Sequence, residues 1–341
     1  MVIGPSLPVN FAHRRRHREL PGGMRTNFMP ALFSNADAVL PINSNGSQIR
    51  FCPDHTIGAA ANKTSRGVAD NVTCLGTKSI EDRGKMTTYA EYLKLGPLLA
   101  LQEPGDDHDE MLFIIVHQTY ELWFKEILHE FDYLERLLAK DDLPRAGHAM
   151  KRVLTILKVL VAQVDILETM TPLEFLSFRK RLEAGSGFQS AQFRELEFVT
   201  GQKRISALAP YPPGSVERIR LEQRYQSPSL WDWFAAFLAR RGHAVPAEVL
   251  TRDVTQVLSP SAAMQQVLIG IYRGDPALTE FCERLVDLDE GLQEWRYRHV
   301  KMVERTIGAK TGTGGSTGAE YLRTTLSQPI FPDLWAIRTE F

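Results

Sequence analysis

One long apolar stripe, running between His108 and Lys140, constrains the fold more than any other feature of the chain. Its members recur at alternating steps of four and three residues, which is the spacing of one face of an α-helix. They are Phe113, His117, Tyr120, Phe124, Ile127, Phe131, Leu134 and Leu138. Other faces of the same helix also carry apolar residues such as Ile115 and Leu122. The sequence therefore predicts a helix of about 30 residues that is buried on most sides.

Two further long helices are predicted, one from about Pro144 to Met170 and one from about Pro276 to Ile307. A proline in the first turn, as at Pro276, is typical of a helix start. No pairs of alternating strands and no internal repeat are found. The predicted fold class is all-α, a helical bundle built around three long helices. Shorter helices are predicted at 172–183, 190–202, 214–225, 229–241 and 259–272.

The first 85 residues differ in composition from the remainder of the chain. They are rich in Gly, Pro, Asn and Ser, carry a basic cluster at 13–18, and show no sustained periodicity. Such segments lack the apolar surface that a core needs. We expect a disordered or poorly structured tail at 1–85 and an all-α domain at 86–341.

Charge and cysteine usage exclude several classes of partner. The formal net charge is −1, so no global field favours nucleic acid, and no apolar run is long enough to cross a membrane. Cys52, Cys74 and Cys282 lie far apart and form no CxxC pair. This excludes a cysteine zinc site and predicts a reducing, cytoplasmic location.

The small-residue loop at 308–318 resembles a phosphate-binding loop only superficially. A Walker loop requires glycine immediately before its lysine, whereas Ala309 precedes Lys310. The loop also follows the C-terminus of a long helix, where the helix dipole favours cations over phosphate. Two interpretations remain open, namely a helix cap at Gly308 followed by a tight turn, or a loop that contacts a ligand.

Two histidines, His117 and His299, lie on the apolar stripes of two different long helices. Each alone is more often a core residue, but together they favour a metal or haem site inside the bundle. A di-iron centre needs Glu-x-x-His twice, and only Glu126 to His129 supplies it. HExxH is also missing, because His129 has no second histidine at that spacing. A haem iron needs only one histidine and a large apolar pocket.

The segment at 171–198 places an arginine beside aromatic residues. Phe175, Phe178, Arg179 and Leu182 fall on one face of a short predicted helix. A buried guanidinium needs a carboxylate partner. That partner is either a glutamate of the protein or the carboxylate of a substrate, which Arg179 would clamp through two hydrogen bonds.

The chain resembles the tryptophan 2,3-dioxygenase family in five segments, over roughly Tyr89 to the C-terminus. They are TYAEYLKL at 88–95, HDEMLFIIVHQTYELWFKEILHE at 108–130, TPLEFLSFR at 171–179, SGFQSAQFRELEF at 186–198 and RHVKMVERTIGAKTGTGGSTGAEYLR at 298–323. The resemblance implies an oxidoreductase of tryptophan catabolism, on the kynurenine pathway. It would open the indole C2–C3 bond of L-tryptophan with O2, giving N-formyl-L-kynurenine.

The same resemblance implies haem b as cofactor, with iron in the Fe²⁺ state in the active form, and a homotetramer. His299 corresponds to the axial ligand of the haem iron. Ser186 and Gly187 correspond to the distal loop over the haem face. An N-terminal segment reaches into the pocket of a neighbouring subunit and corresponds here to Tyr89, Tyr92 and Leu93.

For the substrate, the resemblance implies five contacts. His117 corresponds to the distal, catalytic histidine that hydrogen-bonds the indole N–H. Phe113 corresponds to the aromatic residue that packs on the indole, and Phe175 lies at a further substrate-binding position. Arg179 corresponds to the residue that binds the substrate carboxylate, and Thr313 to the one that engages the polar end of the amino acid.

Two alternatives stay open at this point. The first is a haem-dependent oxygenase that inserts one or two oxygen atoms into a modified tryptophan in secondary metabolism, because the region 204–275 resembles the family only loosely. The second is a haem sensor without turnover. A sensor would leave Arg179 and Thr313 without a role.

Overall fold

The computed structural model describes residues 87–183, 185–308, 310, 323, 326 and 328–341. Within these ranges the fold is all-α and contains no β-strand, as predicted. The tail expected at 1–85 lies outside the described residues. The helices are α1 (Tyr89–Leu93), α2 (Leu95–Leu98), α3 (His108–Ala139), α4 (Leu143–Leu167), α5 (Pro172–Phe178), α6 (Ala191–Val199), α7 (Val216–Gln226), α8 (Leu230–Arg240), α9 (Ala247–Leu250), α10 (Ala262–Gly274), α11 (Pro276–Ile307) and α12 (Pro332–Ala336).

The three long helices form the centre of the fold, and α4 packs against both α3 and α11. Their contact faces carry the fully buried core residues Leu134, Met150 and Leu285. Helices α4 and α11 approach closely at Gly291, where an added Cβ would lie 2.7 Å from Cδ2 of Leu157. Only glycine permits this approach without a shift of the neighbouring side chain.

The helix starts lie near their predicted positions because side-chain caps define them. Asp142 accepts a hydrogen bond from the backbone N–H of Arg145 at 3.1 Å, and Asp275 accepts one from that of Leu278 at 3.0 Å. The short helix predicted at 172–183 is different. It ends as an α-helix at Phe178 and continues as a 3-10 turn over 179–182, a tighter winding that is frequent at the C-terminal ends of α-helices.

The prediction that α3 is buried on most sides was wrong for one face. Ile115 is 45% exposed and Leu122 is 52% exposed. No described element of the same chain covers this face. Helical periodicity identifies an apolar surface, but it does not tell whether the surface packs within one chain or against another.

Two further observations bear on the expected environment. No helix in the described part of the chain combines the length and the apolar character needed to cross a membrane. Cys282 is a free, buried cysteine, and burial raises the pKa of its thiol to about 12. The other two cysteines lie outside the described residues, and the cytoplasmic location stays a prediction.

The C-terminal segment is attached to α11 by one buried carboxylate, that of Asp289. Its Oδ2 accepts hydrogen bonds from the backbone N–H of Ile330 at 2.8 Å and of Phe331 at 3.0 Å. The indole Nε1 of Trp335 donates a third, at 2.8 Å. Its Oδ1 accepts from the side-chain amide of Gln293, also at 2.8 Å. A single residue therefore satisfies three donors of the segment that carries α12.

Replacing Asp289 by alanine is expected to lower the free energy of unfolding by about 3 kcal/mol or more, because three donors lose their acceptor. The measurement is the midpoint of urea unfolding. Asp287→Ala is the matched control, since Asp287 is exposed on the same helix. Equal midpoints for the two variants would contradict this role of Asp289.

Candidate active site

A cavity of about 570 Å³ lies between α3, α5, α6 and α11. This volume falls within the usual range for small-molecule and cofactor sites. Its lining is mostly apolar and aromatic. The cavity brings together seven of the residues selected from the sequence, namely Phe113, His117, Phe175, Arg179, Ser186, Gly187 and His299.

His299, on α11, faces the cavity with its imidazole stacked on Trp295. The two rings are parallel within 2° and their centroids lie 5.3 Å apart. His299 is half-buried and lines the cavity. Burial, and after it the proximity of His117 and Arg194, lowers the pKa of His299 to about 4. The imidazole is therefore neutral at pH 7, the form that binds iron.

His117, on α3, contributes a hydrogen-bond acceptor to the same cavity. Its Nδ1 lies 2.7 Å from the carbonyl oxygen of Phe113. Because a carbonyl can only accept, Nδ1 carries the proton and Nε2 is left as the acceptor. Burial lowers the pKa of His117, although the bond to Phe113 and the charge of Glu121 oppose this. The histidine therefore presents a neutral ring with a fixed tautomer.

Three phenylalanines form an aromatic wall beside His117. The ring centroid of Phe113 lies 4.0 Å from that of His117, 5.9 Å from that of Phe175 and 5.4 Å from that of Phe178. Phe175 and Phe178 meet edge to face at 85°. Such a wall favours a flat aromatic ligand.

The turn that leads into α6 contributes Ser186 and Gly187. The backbone N–H of Phe188 donates to Ser186 Oγ at 3.4 Å, and the backbone N–H of Ser186 donates to the side chain of Gln189 at 3.3 Å. These two bonds hold the turn at the edge of the cavity. A Cβ at Gly187 would meet no atom within 4 Å, so the backbone lies open to the cavity at this point.

The charged residues of the lining are arginines and glutamates. The described part of the lining contains four arginines and two glutamates, so it carries two more positive than negative charges. Sequence reasoning selected only Arg179 and missed the others. For Arg194 and Glu197 a signal was present in SGFQSAQFRELEF, where charged residues alternate with apolar ones on a predicted helix. The missed residues are Glu121, Arg194, Glu197, Arg204 and Arg296.

Other selected residues are not among the described residues that line the cavity. Tyr89 and Tyr92 of α1 are 75% and 78% exposed, and Leu93 is 41% exposed. Thr313 lies outside the described residues. His129, half of the only Glu-x-x-His pair, is exposed on the outer face of α3. Among the described residues, no group of three or more His, Cys, Asp or Glu could hold a metal ion.

Comparison with known proteins identifies the family. The Tryptophan 2,3-dioxygenase family matches residues 75–212 and 213–341. The chain is 60% identical over 256 residues to a tryptophan 2,3-dioxygenase of Herpetosiphon aurantiacus, covering 74% of this chain and 98% of the relative. It is 56% identical over 252 residues to that of Anaeromyxobacter sp. strain K, covering 74% and 95%. For Caulobacter vibrioides the identity is 46% over 258 residues, covering 74% and 98%. The chain belongs to the tryptophan 2,3-dioxygenase family of oxidoreductases.

Proposed function

We propose that the protein uses this cavity to cleave the indole C2–C3 bond of L-tryptophan with O2, giving N-formyl-L-kynurenine. The cofactor would be haem b with iron in the Fe²⁺ state. One observation carries the proposal. A neutral His299 and the acceptor nitrogen of His117 line the same, mostly apolar cavity, next to an aromatic wall. Membership of the family supports the reaction.

The residues of the cavity fit a haem in three respects. The volume and the apolar lining suit a large flat ring. The neutral imidazole of His299 would hold the iron, and a single imidazole is sufficient to bind a haem to a protein. In ferrous haem the charge of the iron cancels that of the porphyrin nitrogens, so the net charge is that of the two carboxylates. Tryptophan is a zwitterion and adds no net charge. The two excess positive charges of the lining therefore match the charge of ferrous haem.

Each remaining residue has a role in placing the substrate. Bound haem supplies the reduced iron that activates O2. Phe113 and Phe175 would pack on the indole, which is neutral and apolar. The indole N–H would donate to Nε2 of His117 and so fix the orientation of the ring in the cavity. Ser186 and Gly187 would close the cavity over the haem face and exclude water from it.

The polar end of tryptophan needs charged partners. Arg179 lines the cavity next to Phe175, at the start of the 3-10 turn after α5. Its planar guanidinium would bind the substrate carboxylate through two parallel hydrogen bonds. Thr313, from the small-residue loop, would engage the amino and carboxylate groups, a role that rests on the family resemblance alone.

Replacing Arg179 by lysine is expected to raise KM for L-tryptophan about 10- to 100-fold, because a point charge replaces a two-pronged donor. Arg181→Lys is the matched control. Arg181 lies two residues away, is half exposed, and pairs with Glu110 at 3.3 Å outside the cavity. Steady-state kinetics measure both variants, and an unchanged KM in Arg179→Lys would reject the clamp.

We also infer that the active form is a homotetramer in which the N-terminal segment is exchanged between subunits. Tyr89, Tyr92 and Leu93 expose large apolar surface, as do Ile115 and Leu122 of α3. Soluble monomers rarely leave so much apolar surface uncovered. A second copy of the chain would cover both regions. Sedimentation of the haem-loaded protein tests this, and a monomer at micromolar concentration would contradict it.

The experiment that tests the reaction uses purified protein reconstituted with haem. L-tryptophan is added under reducing conditions with O2, and the product is followed by its absorption and mass. N-formyl-L-kynurenine is the expected product. Turnover of only a substituted tryptophan would favour the secondary-metabolism alternative. Binding of haem and tryptophan without any product would favour the sensor.

A further inference from the structure

The cavity ends in a buried cluster of ionised side chains that the substrate-binding roles do not use. Arg194 and Glu197, both on α6, and Arg296, on α11, are each less than 10% exposed. Arg204 donates from Nη2 to both carboxylate oxygens of Glu197, at 2.8 Å each. Arg194 also binds Glu197, through Nη1. Arg296 binds the side-chain oxygen of Gln202. All members of the cluster except Gln202 line the cavity.

This cluster contains more positive charge than its single carboxylate can balance. Arg296 reaches Glu197 only at 3.8 Å. Burial lowers the pKa of Arg296, and the attractions of Glu197 and Asp289 do not offset this effect. Arg224 is a useful contrast, because its bonds to Asp132 and Glu195 outweigh burial and raise its pKa. Arg224 therefore has enough negative charge around it to compensate for its burial, whereas Arg296 does not.

A second observation points in the same direction. The Nε of Arg194 is buried and has no hydrogen-bond partner among the described residues. The guanidinium lies over the ring of Phe193, with 5.0 Å between Cζ and the ring centroid, so one face is covered by an aromatic ring. A buried charged donor without an acceptor is costly. An anionic ligand in the cavity would supply that acceptor.

We propose that Arg194 and Arg296 form a carboxylate-binding subsite for the two carboxylates of haem, and that Glu197 is the positioning residue that holds Arg194. This inference rests on the haem site proposed above. Arg296 and His299 are three residues apart on α11, and side chains at that spacing share one face of a helix. One helix would thus carry both the residue that binds the iron and a residue that binds a carboxylate.

Carboxylates reach the cavity from two sources, haem and the amino acid, and the test separates them. Apoprotein is titrated with haem and with haem dimethyl ester, in which both carboxylates are esterified, and the Soret band gives Kd for each. Wild type is expected to bind haem at least about 10-fold more tightly than the ester, since each charged hydrogen bond contributes about 1.5–3 kcal/mol. Tryptophan affinity is measured in parallel on the haem-loaded protein.

In Arg194→Gln the preference for haem over its ester is expected to fall by about 10-fold or more, through weaker haem binding and unchanged ester binding. Arg220→Gln is the control, because Arg220 pairs with Glu195 at 3.0 Å and does not line the cavity. Its preference should equal that of wild type. Arg296→Gln, which changes the other member of the subsite, is expected to behave as Arg194→Gln does.

Four results would overturn the inference. Equal affinities of wild type for haem and ester exclude a carboxylate subsite even if no variant folds. Equal losses of haem and ester affinity in Arg194→Gln and Arg296→Gln indicate a structural role. A loss of tryptophan affinity with unchanged haem affinity assigns the cluster to the substrate. Failure of wild type to bind either porphyrin removes the haem site itself, and this outcome is distinct from the first three.

Discussion

Replacing His299 by alanine is expected to abolish haem binding and turnover together. Among the described residues, His299 is the only imidazole on the α11 side of the cavity, and its low pKa, about 4, keeps it neutral over the whole physiological range. Without the imidazole of His299, the described part of the cavity would offer the iron no ligand on this side. The purified variant, after haem is supplied, should show no Soret band from bound haem and no formation of product.

The control for this variant is His129→Ala, because His129 is exposed on α3 and lies outside the cavity. It should keep full haem content. Imidazole added to a His299→Gly variant is expected to restore the Soret band in part, since the side chain removed leaves room for a free ligand of the same chemistry. Full haem occupancy and activity in His299→Ala would show that another residue holds the iron.

Replacing His117 by alanine is expected to keep haem and to lower kcat/KM for L-tryptophan about 10- to 100-fold. The expected loss corresponds to one hydrogen bond to the substrate, about 1–3 kcal/mol, in a site where water is excluded. The tautomer of His117 is set by the carbonyl oxygen of Phe113, so Nε2 is available to the indole N–H. The measurements are haem content, from the Soret band, and steady-state kinetics.

A substrate analogue tests whether the effect of His117→Ala arises from the hydrogen bond to the indole N–H. In 1-methyl-L-tryptophan the indole nitrogen carries no hydrogen. Wild type should discriminate against this analogue, whereas His117→Ala should lose most of that discrimination because its acceptor is gone. Equal loss of haem in His117→Ala and His299→Ala would contradict the assignment of one histidine to the iron and the other to the substrate.

The three long helices could be predicted from the sequence, because their apolar stripes have the helical period and because α4 and α11 start with a proline and an aspartate cap. The stripes also placed His117 and His299 on inward faces. The spacing alone could not distinguish a ligand from a core residue at either position, because a side chain in either role lies on an inward face of its helix. The structure adds the shared cavity and the fixed tautomer of His117.

Other features could not be predicted because they depend on contacts between distant segments. The cluster around Glu197 joins α6, α11 and the loop at Arg204, and no local pattern indicates that these meet. In the sequence nothing distinguishes Asp289 from the other acidic residues of its helix. Its carboxylate nevertheless accepts hydrogen bonds from Ile330 and Phe331, which lie 41 and 42 residues later. The burial of the exposed apolar face of α3 was also predicted wrongly, because helical periodicity does not identify the element that would cover an apolar face.

The most direct measurement of the central claim is the mass of the product formed from L-tryptophan under O2 enriched in a heavy oxygen isotope. The haem-loaded wild-type protein is used, and tryptophan is the only organic substrate. The expected product is N-formyl-L-kynurenine in which both added oxygen atoms carry the isotope. A product that has gained a single oxygen atom, carrying the isotope, would indicate a monooxygenase, and unchanged tryptophan in the presence of bound haem would show that the cavity binds but does not catalyse.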